Sequence, residues 1–146
     1  MNKLRKIAVA SDHAGYELKE QLKAFLKNRV EVLDLGTDST KPVDYPDFAH
    51  ALAKVVVSKE ADKGILLCGS GVGASIAANK VKGARAGLCH DTYSAHQGVE
   101  HDHINILVLG ARIVGVELAK ELVAAFLHAK ESQEERYVRR IQKLEP

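Results

Sequence analysis

Cysteine is scarce in this chain: its 146 residues hold two, Cys68 and Cys89. Two thiols cannot build a disulfide framework, so a reducing compartment is expected. Long apolar runs are missing too. Stretches such as Ile65-Leu66-Leu67-Cys68 fall far short of the ~20 residues that cross a bilayer, and no membrane partner is expected. A large charge of either sign is also absent. Lys and Arg number 21 against 19 Asp and Glu, a formal net charge of +2 that is too small to imply nucleic acid as a partner. The basic start, Met1 to Lys6, runs into charge and glycine rather than a long apolar stretch, which is not the pattern of a signal peptide. Repeats, low-complexity tracts and linkers are lacking. With 46% apolar and 27% charged residues, the composition is that of an ordinary soluble protein. A single cytosolic domain over residues 1–146 is expected, with a polar, helix-prone tail from about Glu131.

What is present is a regular alternation. Short apolar runs at Lys6–Ala10, Val30–Leu35, Gly64–Cys68, Ala84–Leu88 and Ile104–Leu109 read as strands. Between and after them lie helical patterns: Leu18, Leu22, Phe25 and Leu26; Phe48, Leu52, Val55 and Val56; then about Ala74–Lys80, Tyr93–His101 and Gly115–His128. Five strands separated by helices predict an α/β fold, a three-layer doubly wound parallel sheet with flavodoxin-like, Rossmann-like strand order 2-1-3-4-5. Ligands in such sheets bind beyond the carboxyl ends of the strands. The unusual residues fall there: Asp12 and His13, Asp44 and Tyr45, Cys68 to Gly73, His90 and Asp91, and Arg112. The connections at the opposite edge are plain and charged. This asymmetry points to a site for a polar small molecule.

The strongest local signal is Cys68-Gly69-Ser70-Gly71-Val72-Gly73. Glycines at alternate positions between a strand and a helix leave backbone N–H groups free to face an anion. They also suit a tight turn with no ligand. The loop lacks the Gly-Lys-Ser/Thr ending of a P-loop, so ATP hydrolysis is disfavoured. It resembles part of a dinucleotide fingerprint, with Asp91 at a distance suited to a ribose, although the third glycine comes one position early. Cys68 fits either a small buried apolar residue or a thiolate whose pKa falls at a helix N-terminus, a nucleophile or general base. Cys89 reads as structural. Asp12-His13 suits either a helix cap or a polyol contact. His101 and His103 flank Asp102, but alternate residues of a helix do not share a face, which disfavours a metal site. Arg136 and Arg140 lie one helical turn apart. With Arg112 they form either a solvated set or a dianion clamp.

Taken together, Ser11-Asp12-His13-Ala14-Gly15, Val43-Asp44-Tyr45-Pro46-Asp47, Leu67 to Lys80 and Leu109-Gly110-Ala111-Arg112 resemble the type B ribose-5-phosphate isomerases. Their wider family includes bacterial galactose-6-phosphate isomerase subunits. The likeness runs in order over nearly the whole chain. It implies an aldose–ketose isomerase without metal or cofactor that interconverts ribose 5-phosphate and ribulose 5-phosphate in the pentose phosphate pathway. It further implies a homodimer with active sites shared between subunits, in some members paired into a tetramer. Carried across residue by residue, Cys68 is the general base between C1 and C2, and Ser70 assists it. The amides of Gly69, Gly71 and Gly73 hold the enediolate oxygen, and His101 serves ring opening. Asp12 and Tyr45 contact the sugar, while His13, Arg112, Arg136 and Arg140 bind phosphate. Two departures stand out. Asp102 replaces an Asn near the enediolate, and Glu134-Glu135-Arg136-Tyr137 replaces Gly-Gly-Arg-His. The alternatives are isomerisation of a six-carbon aldose 6-phosphate, such as allose or galactose 6-phosphate, and a non-catalytic nucleotide- or sugar-phosphate-binding module.

Overall fold

The computed structural model describes residues 5–145, so Met1 to Leu4 of the basic start and Pro146 lie outside it. Alternation of strand and helix proceeds as the apolar pattern predicts: β1 (Lys6–Ser11), α1 (Tyr16–Leu26), β2 (Glu31–Asp34), α2 (Tyr45–Val57), β3 (Lys63–Cys68) and α3 (Val72–Asn79). Then come β4 (Ala86–Leu88), α4 (Thr92–Asp102), β5 (Ile106–Gly110), α5 (Val116–His128) and, in the tail, α6 (Glu135–Gln142). All pairings in the five-stranded sheet are parallel. No described helix is long and apolar enough to cross a membrane.

Alternate side chains of each central strand enter different cores, as the period of two requires. Ile7, Val9, Ile65, Leu67, Leu107 and Leu109 pack with α1, α4 and α5. Ala8, Ala10, Leu66, Cys68, Ile106 and Val108 pack with α2 and α3 through Leu52, Val56 and a run of alanines. The second core is built of smaller side chains, and a Cβ on Gly64 would come within 2.6 Å of Leu52.

The strand order corrects one expectation. It is β2-β1-β3-β5-β4, not 2-1-3-4-5. Every residue of β5 is buried, so it demands a neighbour on both sides and a helix on both faces. β4 has three residues, of which Ala86 and Gly87 are half-buried and Leu88 is exposed. A strand so short suits a margin. There Asn79 closes it off: its side chain donates to the Ala86 carbonyl at 3.0 Å and accepts the Ala86 N–H at 2.8 Å. Running to β2 on one side and β3 on the other, the chain reverses direction across the sheet at β1, so the crevice of the fold lies between the ends of β1 and β3.

Candidate functional site

That crevice brings Asp12 and Cys68 together from positions 56 residues apart. Asp12 is 6% exposed; its Oδ1 accepts the Gly15 N–H and so closes the turn into α1. Its Oδ2 accepts a hydrogen bond from the Cys68 thiol at 3.2 Å. The sequence reading expected the helix N-terminus to lower the Cys68 pKa, and the structure corrects this. Burial pushes the thiol up, and the Asp12 hydrogen bond and charge push it further, to about 11. The Gly69 and Gly71 amides pull the other way with less effect.

Around the sulfur, the loop after β3 is zipped to the loop after β5. Ala111 N–H donates to Cys68 O at 2.7 Å, and Arg112 N–H to Gly69 O at 3.0 Å. A side chain at Gly110 would strike the Ser70 carbonyl at 2.5 Å, so only glycine lets the two loops meet. Gly71 has φ +83°, the left-handed geometry that turns the chain into α3. Ser70 is exposed and its Oγ accepts the Val72 N–H. Among the described residues the N–H groups of Ser70 and Gly73 make no hydrogen bond, and they remain available to an anionic oxygen.

Three more expected residues border this hollow. Tyr45 lies against Gly73, where an added Cβ would fall 2.6 Å from its hydroxyl. The Arg112 guanidinium lies over Gly69, 3.3 Å from such a Cβ. His13 Nδ1 accepts the Val43 N–H at 3.1 Å and so ties the loop before α2 to the end of β1. A residue with no role assigned from sequence joins them: His90 Nε2 accepts the Gly110 N–H at 2.9 Å and braces the β5 loop from behind. Its place beyond a strand end was the available signal. Asp91 caps α4, its Oδ2 accepting the Ser94 N–H at 2.7 Å, so its carboxylate serves the helix rather than a ribose.

The remaining expected residues are elsewhere. α4 starts at the carboxyl edge of the sheet and returns to the amino edge, a run of about 16 Å for its eleven residues. His101 and Asp102 are at its far end, just before β5. α6 packs there, with Arg136 ion-paired to Glu134 at 3.0 Å and Arg140 exposed. His101 stacks on Tyr137, ring centroids 4.1 Å apart and planes 9° apart. The expected residues therefore fall into two groups at opposite edges of the sheet: Asp12, His13, Tyr45, Cys68 to Gly73 and Arg112 at one, His101, Asp102, Arg136 and Arg140 at the other. Among the described residues no three His, Cys, Asp or Glu side chains gather as metal ligands would.

Comparison with known proteins gives this arrangement a context. Residues 7–144 match the family model described as Ribose/Galactose Isomerase. Ribose-5-phosphate isomerase B of Escherichia coli is 48% identical over 128 residues, 87% of this chain and 86% of that protein. D-erythrulose-4-phosphate isomerase of Pectobacterium atrosepticum is 42% identical over 127 residues, 85% of this chain and 83% of that one. The solved structure of ribose-5-phosphate isomerase B from Clostridium thermocellum superposes with a TM-score of 0.92 at 48% identity, covering 95% of this chain and 94% of that one.

Proposed function

Because this chain belongs to the ribose/galactose isomerase family, we propose that it is a cytosolic, single-domain aldose–ketose isomerase that interconverts ribose 5-phosphate and ribulose 5-phosphate without a metal. The observation that carries this reading is the Cys68 thiol, 3.2 Å from Asp12 Oδ2 and faced by the Gly69 and Gly71 amides at the crevice of the sheet. The furanose opens first: the C1–O4 bond breaks, O4 gains a proton and the C1 hydroxyl loses one, an exchange assisted by His101. Cys68, as thiolate, then removes the C2 proton. The electron pair forms C1=C2, and negative charge gathers on the former carbonyl oxygen, O1. Ser70 assists as the 2-hydroxyl proton moves to O1 and the thiol returns its proton to C1, leaving the ketone at C2. Donors fixed beside that oxygen, in the N–H groups of Ser70 and Gly73, stabilise the anion without reorganising; one such donor is worth ~3 kcal/mol.

The working unit in this reading is a homodimer whose sites each combine the two half-sites. Separation of Cys68 from His101 by the length of α4 supports it. Burial and Asp12 raise the Cys68 pKa, so its work as a base calls for positive charge that the second copy supplies in this reading. Arg136 and Arg140 of that copy would favour the thiolate and, with His13 and Arg112, hold the phosphate dianion. Asp102 replaces a neutral amide beside the same half-site.

The test is a direct assay with ribose 5-phosphate, D-erythrulose 4-phosphate and allose 6-phosphate, each with EDTA present. Fastest turnover of the five-carbon substrate, unaffected by chelation, is the expected result. A preference for allose 6-phosphate would favour the six-carbon alternative, and one for D-erythrulose 4-phosphate a four-carbon reading motivated by the Pectobacterium relative. Cys68→Ala should cost about 100-fold or more in kcat with the fold intact, the range for a positioned acid–base group. Wild-type turnover in that variant would overturn the assignment of the base.

A further inference from the structure

His101 is held by two groups that the proposed chemistry does not use. Gln97 precedes it by one helical turn, and its Nε2 is 2.7 Å from His101 Nδ1. Tyr137 of α6 covers the flat of the imidazole. We infer that Gln97 and Tyr137 are positioning residues that fix His101 as the neutral tautomer protonated on Nε2, making it a hydrogen-bond donor to a sugar oxygen rather than a base.

The chemistry follows from donor and acceptor counting. An amide nitrogen carries only donors, so the Nδ1 it meets must offer a lone pair. A neutral imidazole then has its proton on Nε2. Among the described residues Nε2 has no hydrogen-bond partner, and the ring is half-buried, so this N–H points at nothing within its own subunit. The opposite tautomer would present a lone pair at Nε2 and convert the same side chain into a base. With its amide turned this way, Gln97 selects the donor form of His101. Tyr137 sets the plane in which it acts, because a ring stacked at 4.1 Å cannot rotate without losing the contact. Arg136, in turn, lies 4.6 Å over the other partner of the stack, the Tyr137 ring. No residue of α6 is fully buried; Tyr137, Val138 and Ile141 are half-buried.

This inference rests on the proposed role of His101, and its test separates the two. In protein labelled with nitrogen-15 histidine, with the His101 signals identified by their loss in His101→Asn, Nδ1 should resonate as an unprotonated and Nε2 as a protonated ring nitrogen. Gln97→Met, which keeps the length and removes the amide, should mix the tautomers. It should lower kcat about tenfold, the worth of one neutral hydrogen bond, with KM changed less than about twofold. Tyr137→Phe keeps the stack and should retain both signature and turnover, whereas Tyr137→Leu should lose both at unchanged helicity. A protonated Nδ1 in the wild type, or an unchanged tautomer and kcat in Gln97→Met, overturns the inference and leaves the role of His101 intact. Full activity in His101→Asn overturns that role instead, whatever the tautomer.

Discussion

Cys68 shows how far a local motif carries. Its place at a strand end before alternating glycines, the feature that singles it out, is plain in the chain, whereas its acidity is not. Burial and Asp12 decide that, and Asp12 is 56 residues away in sequence. Cys89 is pushed up to about 11 as well, by burial and then by Asp91. Cys89 holds its proton more tightly when folded than when exposed, so the stability it contributes is complete below pH about 9 and is lost as the pH climbs towards 11. Chemical denaturation between those values should show the fall, at most about 2–3 kcal/mol for a two-unit shift. In a Cys89→Ala background, Asp12→Asn should lower the Cys68 pKa, read from thiolate absorbance, but not to that of a free thiol, since burial persists. No movement would show that the Asp12 charge has little hold on the sulfur.

At the scale of elements, α1 and β2 are joined by a charged cluster that hydrophobic periodicity does not announce. Lys19 is 1% exposed, and its ammonium meets both oxygens of Asp34 at 2.8 and 2.7 Å; Lys23 reaches the same carboxylate at 2.7 Å. Burial alone would raise the Asp34 pKa, but Lys19, Lys23 and the Gly36 N–H outweigh it and hold the carboxyl below its usual value. A depressed carboxylate stabilises at neutral pH and loses that contribution as acid protonates it. Asp34→Ala should cost about 3–5 kcal/mol in unfolding free energy, because the Lys19 ammonium is left buried and short of its main partner. Lys19→Met, which removes the buried charge itself, should cost less. Equal costs would mean that the ammonium escapes to water. Element identity was readable because helices and strands differ in apolar period. The place of β4 was not, since it depends on how well two strands of unequal length fill the middle of the sheet.

For the whole molecule, the division of the expected catalytic set between the two edges of the sheet yields a mixing experiment. In the proposed homodimer, Cys68→Ala and His101→Asn damage different half-sites. If each site draws one half from each subunit, an exchanged equimolar mixture regains one intact site in every mixed dimer, about a quarter of wild-type activity overall. No regain after demonstrated subunit exchange would place a complete site within one chain. The motifs by themselves carry no direction; the resemblance to a family with shared sites implied that the two groups stand apart, and the return of α4 across the sheet is what separates them.

The side chain of Asn79 has a bearing on how such copies can meet. By filling both outward hydrogen-bonding positions of Ala86, it acts as a decoy neighbour at that border of the sheet. An extended peptide arriving there finds its docking points already taken. Lateral pairing at Ala86 is thereby blocked, and whatever approaches this border meets an amide where the sheet would otherwise continue.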